Sequence, residues 1–367
     1  MKNLKIFLKI YFLIIGFASI AEAQDPQFSQ FYTHQLTHNP AYTGNTGGAR
    51  VILNNRVQWL ALGQPYRTYG VSYDAYLDYG ISVGGQITHD QQATNFQTNT
   101  ISALGSYWIK FDEDGDKGLT FGLKGSFVNR SANLEGLKFI DQYSASGISS
   151  QSNDRLAQQN AQSIFNSSYP DFSLGLLFEE YYDRNQKASG IFNPNKHGYQ
   201  FGVAINHFDK LFGGQDFTLP LPLLGVHGSY KFPVNFNWWQ HREDREESTL
   251  SITGYFRKQG QSMMLDLGTT VRYSPAVLGL WYRGIPIRKY NNTVQQDAVV
   301  LLLGYELEKV KFGLSYDVTV SSLSWASGGT IELSMWFGLG GRVNFMGTKG
   351  NNERATDCEK FRKYRPW

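Results

Sequence analysis

A single cysteine, Cys358, excludes an internal disulfide, so nothing in this chain is stapled covalently. Charge is scarce as well. Charged residues make up 18% of the chain and the formal balance is only +3, too small and too dispersed for a nucleic-acid footprint. Beyond residue 23 no apolar run reaches spanning length, which excludes a helical membrane protein but leaves a crossing by strands open. The histidines, at 34, 38, 89, 197, 207, 227 and 241, show no metal-ligand spacing apart from His34 and His38, and Asn39-Pro40 interrupts the helix that this pair would need. Asp112 to Gly118 has the acidic beat of a calcium loop. It carries Lys117 where that loop needs glycine and Leu123 where it needs a bidentate glutamate, so it reads as a polar hairpin turn. No nucleophile elbow, phosphate loop or dinucleotide fingerprint occurs; neither an enzyme nor a cofactor is expected.

What the chain does have is a leader, aromatic residues and glycine. Lys2, Lys5 and Lys9 lead into an apolar run through Ile20, and Ala21-Glu22-Ala23 supplies a small-x-small cleavage site. Residues 1–23 therefore read as a secretory signal peptide. Aromatics reach 15% and glycines number 38, the balance of amphipathic strands with interfacial girdles.

The stretch from Val310 to Leu339 shows the pattern most clearly. Phe312, Leu314, Tyr316, Val318 and Val320 alternate with Lys311, Gly313, Ser315, Asp317 and Thr319; Ile331, Leu333, Met335, Phe337 and Leu339 alternate with Thr330, Glu332, Ser334, Trp336 and Gly338. Successive side chains on a strand take opposite faces, so each strand has one oily and one polar side. A lysine at the bilayer midplane costs roughly 2 to 4 kcal/mol, which fixes the oily side toward lipid and the polar side toward a lumen. The same reading places strands at 48–60, 65–78, 80–90, 95–111, 117–130, 169–183, 198–209, 220–232, 248–259, 261–274, 276–285, 296–308, 310–320 and 329–340. The fold expected is an all-β, transmembrane, antiparallel up-and-down barrel of about fourteen strands. Lys124, Arg257, Asp266, Arg272, Asp317 and Glu332 all fall on lumen positions, and their mixed signs predict a cross-linked, filled interior more than a selective pore.

Before the first strand, residues 24–47 lack strand periodicity and carry Phe28, Phe31, Tyr32 and Tyr42, which need cover. This segment is expected to fold against or into the periplasmic mouth as a plug. The barrel is expected over 48–340 and a periplasmic tail over 341–367. Tight turns near Asp78-Tyr79-Gly80, Ser274-Pro275 and Glu308-Lys309 sort to the periplasmic side and the long segment Ser131 to Ser168 to the outside. Arg184 to His197 and Pro233 to Glu247, the latter with Trp238 and Trp239, would be long periplasmic connections.

Several stretches resemble the PorP/SprF family of type IX secretion system outer-membrane proteins. Asp25-Pro-Gln-Phe-Ser-Gln-Phe-Tyr32 with Asn39-Pro-Ala-Tyr-Thr-Gly44 is similar to its N-terminal signature, and Asn55-Arg-Val-Gln-Trp59 and Ser72-Tyr-Asp74 to its first strands. Ser315-Tyr-Asp317, Ser321-Ser-Leu-Ser-Trp-Ala-Ser-Gly-Gly329 and Ile331-Glu-Leu-Ser334 are similar to its closing hairpin. Glu359 after Cys358 departs from the family's Cys-Pro, so no role carries over to the tail. The resemblance implies a non-enzymatic outer-membrane barrel, exported by its signal peptide in a gliding or related Gram-negative bacterium. It would assist secretion and surface attachment of cargo bearing a C-terminal sorting domain, such as a gliding adhesin, and link to a periplasmic secretion-system or peptidoglycan-binding protein. Candidate partner-binding residues are Asp25, Phe28, Ser29, Gln30, Tyr32, Asn39, Pro40 and Tyr42 at the inner mouth and Ser321, Ser322, Ser324 and Trp325 outside. The competing expectation is a passive or fatty-acid-type transporter with the N-terminal segment as its hatch.

Overall fold

The structure is a computed structural model that describes residues 25–339 except 26, 47, 78, 93–95, 113–116, 133–142, 145–146, 149–165, 183–196, 212–219, 235–247, 274, 291–292, 308 and 322–323. The expected signal peptide, the tail with Cys358, Trp238 and Trp239, Ser322, the centre of the calcium-like loop and most of the long outer segment lie outside the described residues.

Fourteen antiparallel strands close into one barrel. In chain order they are β1 Arg50–Gln58, β2 Tyr66–Tyr76, β3 Ile81–Gln92, β4 Phe96–Lys110, β5 Lys117–Ala132, β6 Ser167–Tyr182 and β7 His197–Asn206. They continue with β8 Leu223–Pro233, β9 Thr249–Gln259, β10 Ser262–Tyr273, β11 Ala276–Tyr290, β12 Thr293–Glu306, β13 Val310–Thr319 and β14 Thr330–Gly338. Each strand pairs with its sequence neighbours, and β1 closes on β14 in unbroken register from Arg50 opposite Gly338 to Gln58 opposite Thr330. Closure leaves no unpaired edge, the condition a sheet must meet in hydrocarbon. The mouth where β1 starts and β14 ends is the base; the opposite mouth is the rim. The turns at 77–80 and 307–309 belong to the base, and the connections 59–65, 133–166, 207–222 and 320–329 to the rim.

The two faces divide as the alternation requires. Leu314, Tyr316, Ile331 and Leu333 lie outside and exposed, whereas Ser315, Asp317, Glu332 and Ser334 are buried in the lumen. Ile252 and Leu267 face outward while Ser251, Arg257 and Asp266 face inward, and Phe121, Leu123 and Phe127 stand opposite buried Thr120 and Ser126. The lumen charges cross-link as their mixed signs predict. Arg283 bridges Asp266 at 2.7 Å and Asp317 at 3.1 Å, Arg257 takes the other oxygen of Asp266 at 2.8 Å, and Arg272 pairs with Glu306.

Three expectations are corrected. Strand β7 stops at Asn206 and does not run to 209, because His207 adopts φ 57° and a 3₁₀ turn, Phe208–Leu211, follows. Strand β11 runs past 285 to Tyr290 by absorbing a register shift at Arg283/Gly284, where Gly284 has φ 145°. The third concerns the N-terminal segment. It does not rest at the base mouth but crosses the whole lumen, from Asp25 beside rim residues His207 and Gln259 to Arg50 at the base.

A candidate site inside the lumen

Among the described residues from Asp25 to Gly48 none belongs to a strand, so their backbone must find hydrogen bonds elsewhere. This segment makes one helical turn, Gln35–His38 (α1), and one 3₁₀ turn, Pro40–Tyr42, with Asn39 between them. Pro40 sits at the first position of the 3₁₀ turn, where its missing N–H is no loss, and the Asn39 side chain caps that turn by accepting from the Ala41 N–H at 2.9 Å. The Asn39 amide then donates to the Leu176 carbonyl and to His227 Nε2, both at 3.0 Å, tying the turn to β6 and β8. Tyr42 stacks against the same imidazole at 5.1 Å and its hydroxyl meets Nδ1 at 3.2 Å.

Nearer the rim, the side chains of Ser29 and Gln30 bond to the closing hairpin. The Ser29 N–H donates to the Glu332 carboxylate and its hydroxyl to Asp317, each at 2.5 Å. The Gln30 amide donates to the Glu332 carbonyl at 2.9 Å and to Ser315 at 3.2 Å, while its oxygen accepts from Ser334 at 2.6 Å. Arg56 and Asn54 reach the same cluster from β1, at 3.2 Å to Ser29 and 3.1 Å to Glu332. At the base the Gly44 N–H donates to Asp74 at 2.6 Å, and Arg50 grips the other oxygen of that carboxylate at 2.7 Å. Gly44 has φ 65° and a side chain there would collide with Ser82, so both backbone and space call for glycine.

Between these anchors the lumen has an apolar core. Tyr32 stacks on Trp281 at 4.5 Å and Phe31 lies 5.3 Å from Tyr255, with Val277, Val300 and Leu302 completing the cluster. Leu36, Ala41 and Tyr42 pack on Leu104 and Leu177 across the way. Inward-facing glycines make room for the turn: a Cβ on Gly122 would stand 2.1 Å from the Ala41 nitrogen, and one on Gly175 would stand 2.0 Å from Asn39 Oδ1. The wall is thus shaped to this segment and not merely wide enough for it.

Burial holds the His34 imidazole down to about 3, with Arg50 and Lys124 adding to the effect, and His38 falls well below its ordinary value for the same reason. At the rim the balance reverses. Burial alone would depress His207, but Asp25, 2.6 Å from Nε2, and Asp171, 2.6 Å from Nδ1, override it and raise the imidazole to about 9. Asp25 is in turn held below the carboxylate range: burial would raise it, and the charge of His207 prevails.

All eight N-terminal candidates therefore lie along one lumen segment, from Asp25 at the rim to Tyr42, whose carbonyl accepts from Arg50 at the base. Ser324 and Trp325 lie in a 3₁₀ turn of the rim connection, Ser324–Ser327, and Ser321 N–H donates to the Asp297 carbonyl at 3.3 Å. The sequence reading missed the wall half of the site: Tyr255, Trp281, Val300, Leu302, Leu177 and His227. One signal was present. In Ala298-Val-Val-Leu-Leu-Leu303 both faces are apolar, which a strand between lipid and a watery lumen has no reason to be. Among the described residues no cluster of acidic, histidine or cysteine side chains fit to hold a metal occurs.

A closed, lipid-faced barrel whose lumen is occupied by its own N-terminal segment is the fold of an outer-membrane protein. The sequence matches the family described as "Type IX secretion system membrane protein PorP/SprF" over residues 20–337, and the chain belongs to that family. No curated protein matches the sequence. Among solved structures it is similar to CdiB from Acinetobacter baumannii, at 7% identity over 79% of this chain and 60% of that one, with a TM-score of 0.45. It is also similar to the Acinetobacter baumannii outer membrane protein Omp33, at 9% identity over 80% and 98% of the two chains and a TM-score of 0.38. The KdgM porin matches at 8% identity, 79% and 99% coverage and a TM-score of 0.35.

Proposed function

We propose that this barrel is a non-enzymatic accessory of type IX secretion that helps cargo with a C-terminal sorting domain, such as a gliding adhesin, reach and stay on the cell surface. In this reading the base faces the periplasm and engages a secretion-system or peptidoglycan-binding partner, and the rim connections face outward toward cargo. The observation that carries it is the use made of the signature residues: Gln30, Asn39 and their neighbours are spent on fixing a plug across the lumen, which suits a scaffold better than a conduit. A partner role for the same eight residues would require the segment to leave its seat. Deleting the gene tests the proposal: sorting-domain cargo is expected to be lost from the surface or shed into the medium, and normal display of every such cargo would overturn it. Steady conductance of the purified wild-type barrel in planar bilayers would instead favour a transporter.

A further inference from the structure

The lumen segment is held at two opposite mouths by bonds of different kinds. At the base it continues covalently through Ala49 into β1, where the Leu339 N–H also donates to the Ala49 carbonyl at 2.9 Å. At the rim Asp25 is held by side chains. His207 stands between the Asp25 and Asp171 carboxylates at 2.6 Å each, and Gln259 exchanges two hydrogen bonds with Asp25, from its amide to the Asp25 carboxylate and from the Asp25 N–H to its oxygen, both at 3.3 Å. His207 reaches both carboxylates from a left-handed backbone, φ 57°, which a non-glycine residue adopts at a cost and keeps only where its surroundings impose it. Lys124 and Arg130 on β5 add positive charge around Asp25. Cleavage after Ala23, expected from the sequence, would make Asp25 the second residue of the mature chain, preceded by Gln24 alone.

We propose that this clasp is the release point of the plug: the lumen opens only after Asp25 leaves His207 at the rim, and the freed segment then swings out through the base about its covalent hinge at Ala49–Arg50. The direction follows from the tether, because a segment joined to β1 at the base cannot be drawn out through the rim without unravelling that strand. Release also proceeds in order. The anchors after the clasp, Ser29 and Gln30 on Glu332, become accessible from the rim once Asp25 and Gln27 have moved, whereas Asn39 at mid-lumen and Gly44 on Asp74 at the base are reached later.

The proposal stands on the lumen geometry and is independent of the secretion role, so the two fail separately. The test uses full-length protein carrying Cys358→Ser, reconstituted in planar bilayers, with heat-modifiable gel mobility as the check that each barrel has folded. Wild type is expected closed; His207→Ala and Asp25→Ala are expected to open about tenfold more often, and His207→Lys, which keeps a cation facing Asp25, less than either. A second pair, Asp25→Cys with Gln259→Cys, replaces the clasp by a disulfide: closed when oxidised, open when reduced. In the same barrels Gln27→Cys should be labelled by a membrane-impermeant thiol reagent much faster once His207 is removed. If His207→Ala and Asp25→Ala stay as closed as wild type, or if the oxidised and reduced cysteine pair conduct alike, the clasp is not the release point.

Discussion

Gln30 shows what a single side chain does here. It is fully buried, and its amide is matched at both ends by Glu332, Ser315 and Ser334, so truncation would strand partners that water cannot reach. Removing one partner of a buried polar set costs about 1 to 3 kcal/mol. Gln30→Ala should therefore lower the urea midpoint for loss of segment protection, read by proteolysis of detergent-solubilised barrels, while the heat-modifiable mobility of the barrel itself stays. Gln30 was marked from the sequence only by its place in a recurring motif. Its actual partners are Ser315, Glu332 and Ser334, some 300 positions away in the chain, and nothing local in the sequence could name them. Asp317 and Glu332 were legible as lumen residues because alternation is a local rule; that they are the seat of Ser29 and Gln30 was not.

At the scale of elements, the strands were readable and a non-strand plug was expected before them, but the path of that plug was not readable. Strand identity follows from a period of two, so the fourteen elements emerged with small errors at their ends, the largest where His207 leaves the strand and where β11 bulges. A plug has no period, and its path is set by wall glycines such as Gly122 and Gly175 that look like ordinary strand glycines in the sequence. The segment carries opposite pH responses at its two levels. His34 is neutral when seated, with a value near 3 against an ordinary value of about 6.5, so its contribution is complete above 6.5 and is lost as pH falls toward 3. His207, raised to about 9 between Asp25 and Asp171, contributes fully below 6.5 and loses its contribution as pH rises through 9. Protection of the segment against protease should thus peak near pH 6.5 and fall on both sides. In His207→Gln the alkaline fall should disappear and the acid fall remain.

For the molecule as a whole, the apolar surface is divided between two solvents, lipid outside and the plug inside. Leu301 and Leu302 sit side by side on β12, yet Leu301 faces lipid at 48% exposed and Leu302 is 2% exposed against Tyr32 and Trp281. Leu301→Arg should cost roughly 2 to 4 kcal/mol of membrane stability and reduce assembled barrel in the outer membrane. Leu302→Arg should leave the barrel inserted and expel the segment, seen as conductance together with protease sensitivity at Tyr32. Equal insertion defects from both would contradict the division of faces. The threading itself has a last consequence, for manufacture. A segment that runs the full height of the tube, with bulky Tyr32 and Phe31 at its middle, enters a finished cylinder only slowly, whereas it seats at once if it already lies across the sheet when β14 meets β1. The first-made part of the chain is then a mandrel on which the wall is wound, and barrels lacking residues 25–45 should close late or in the wrong register.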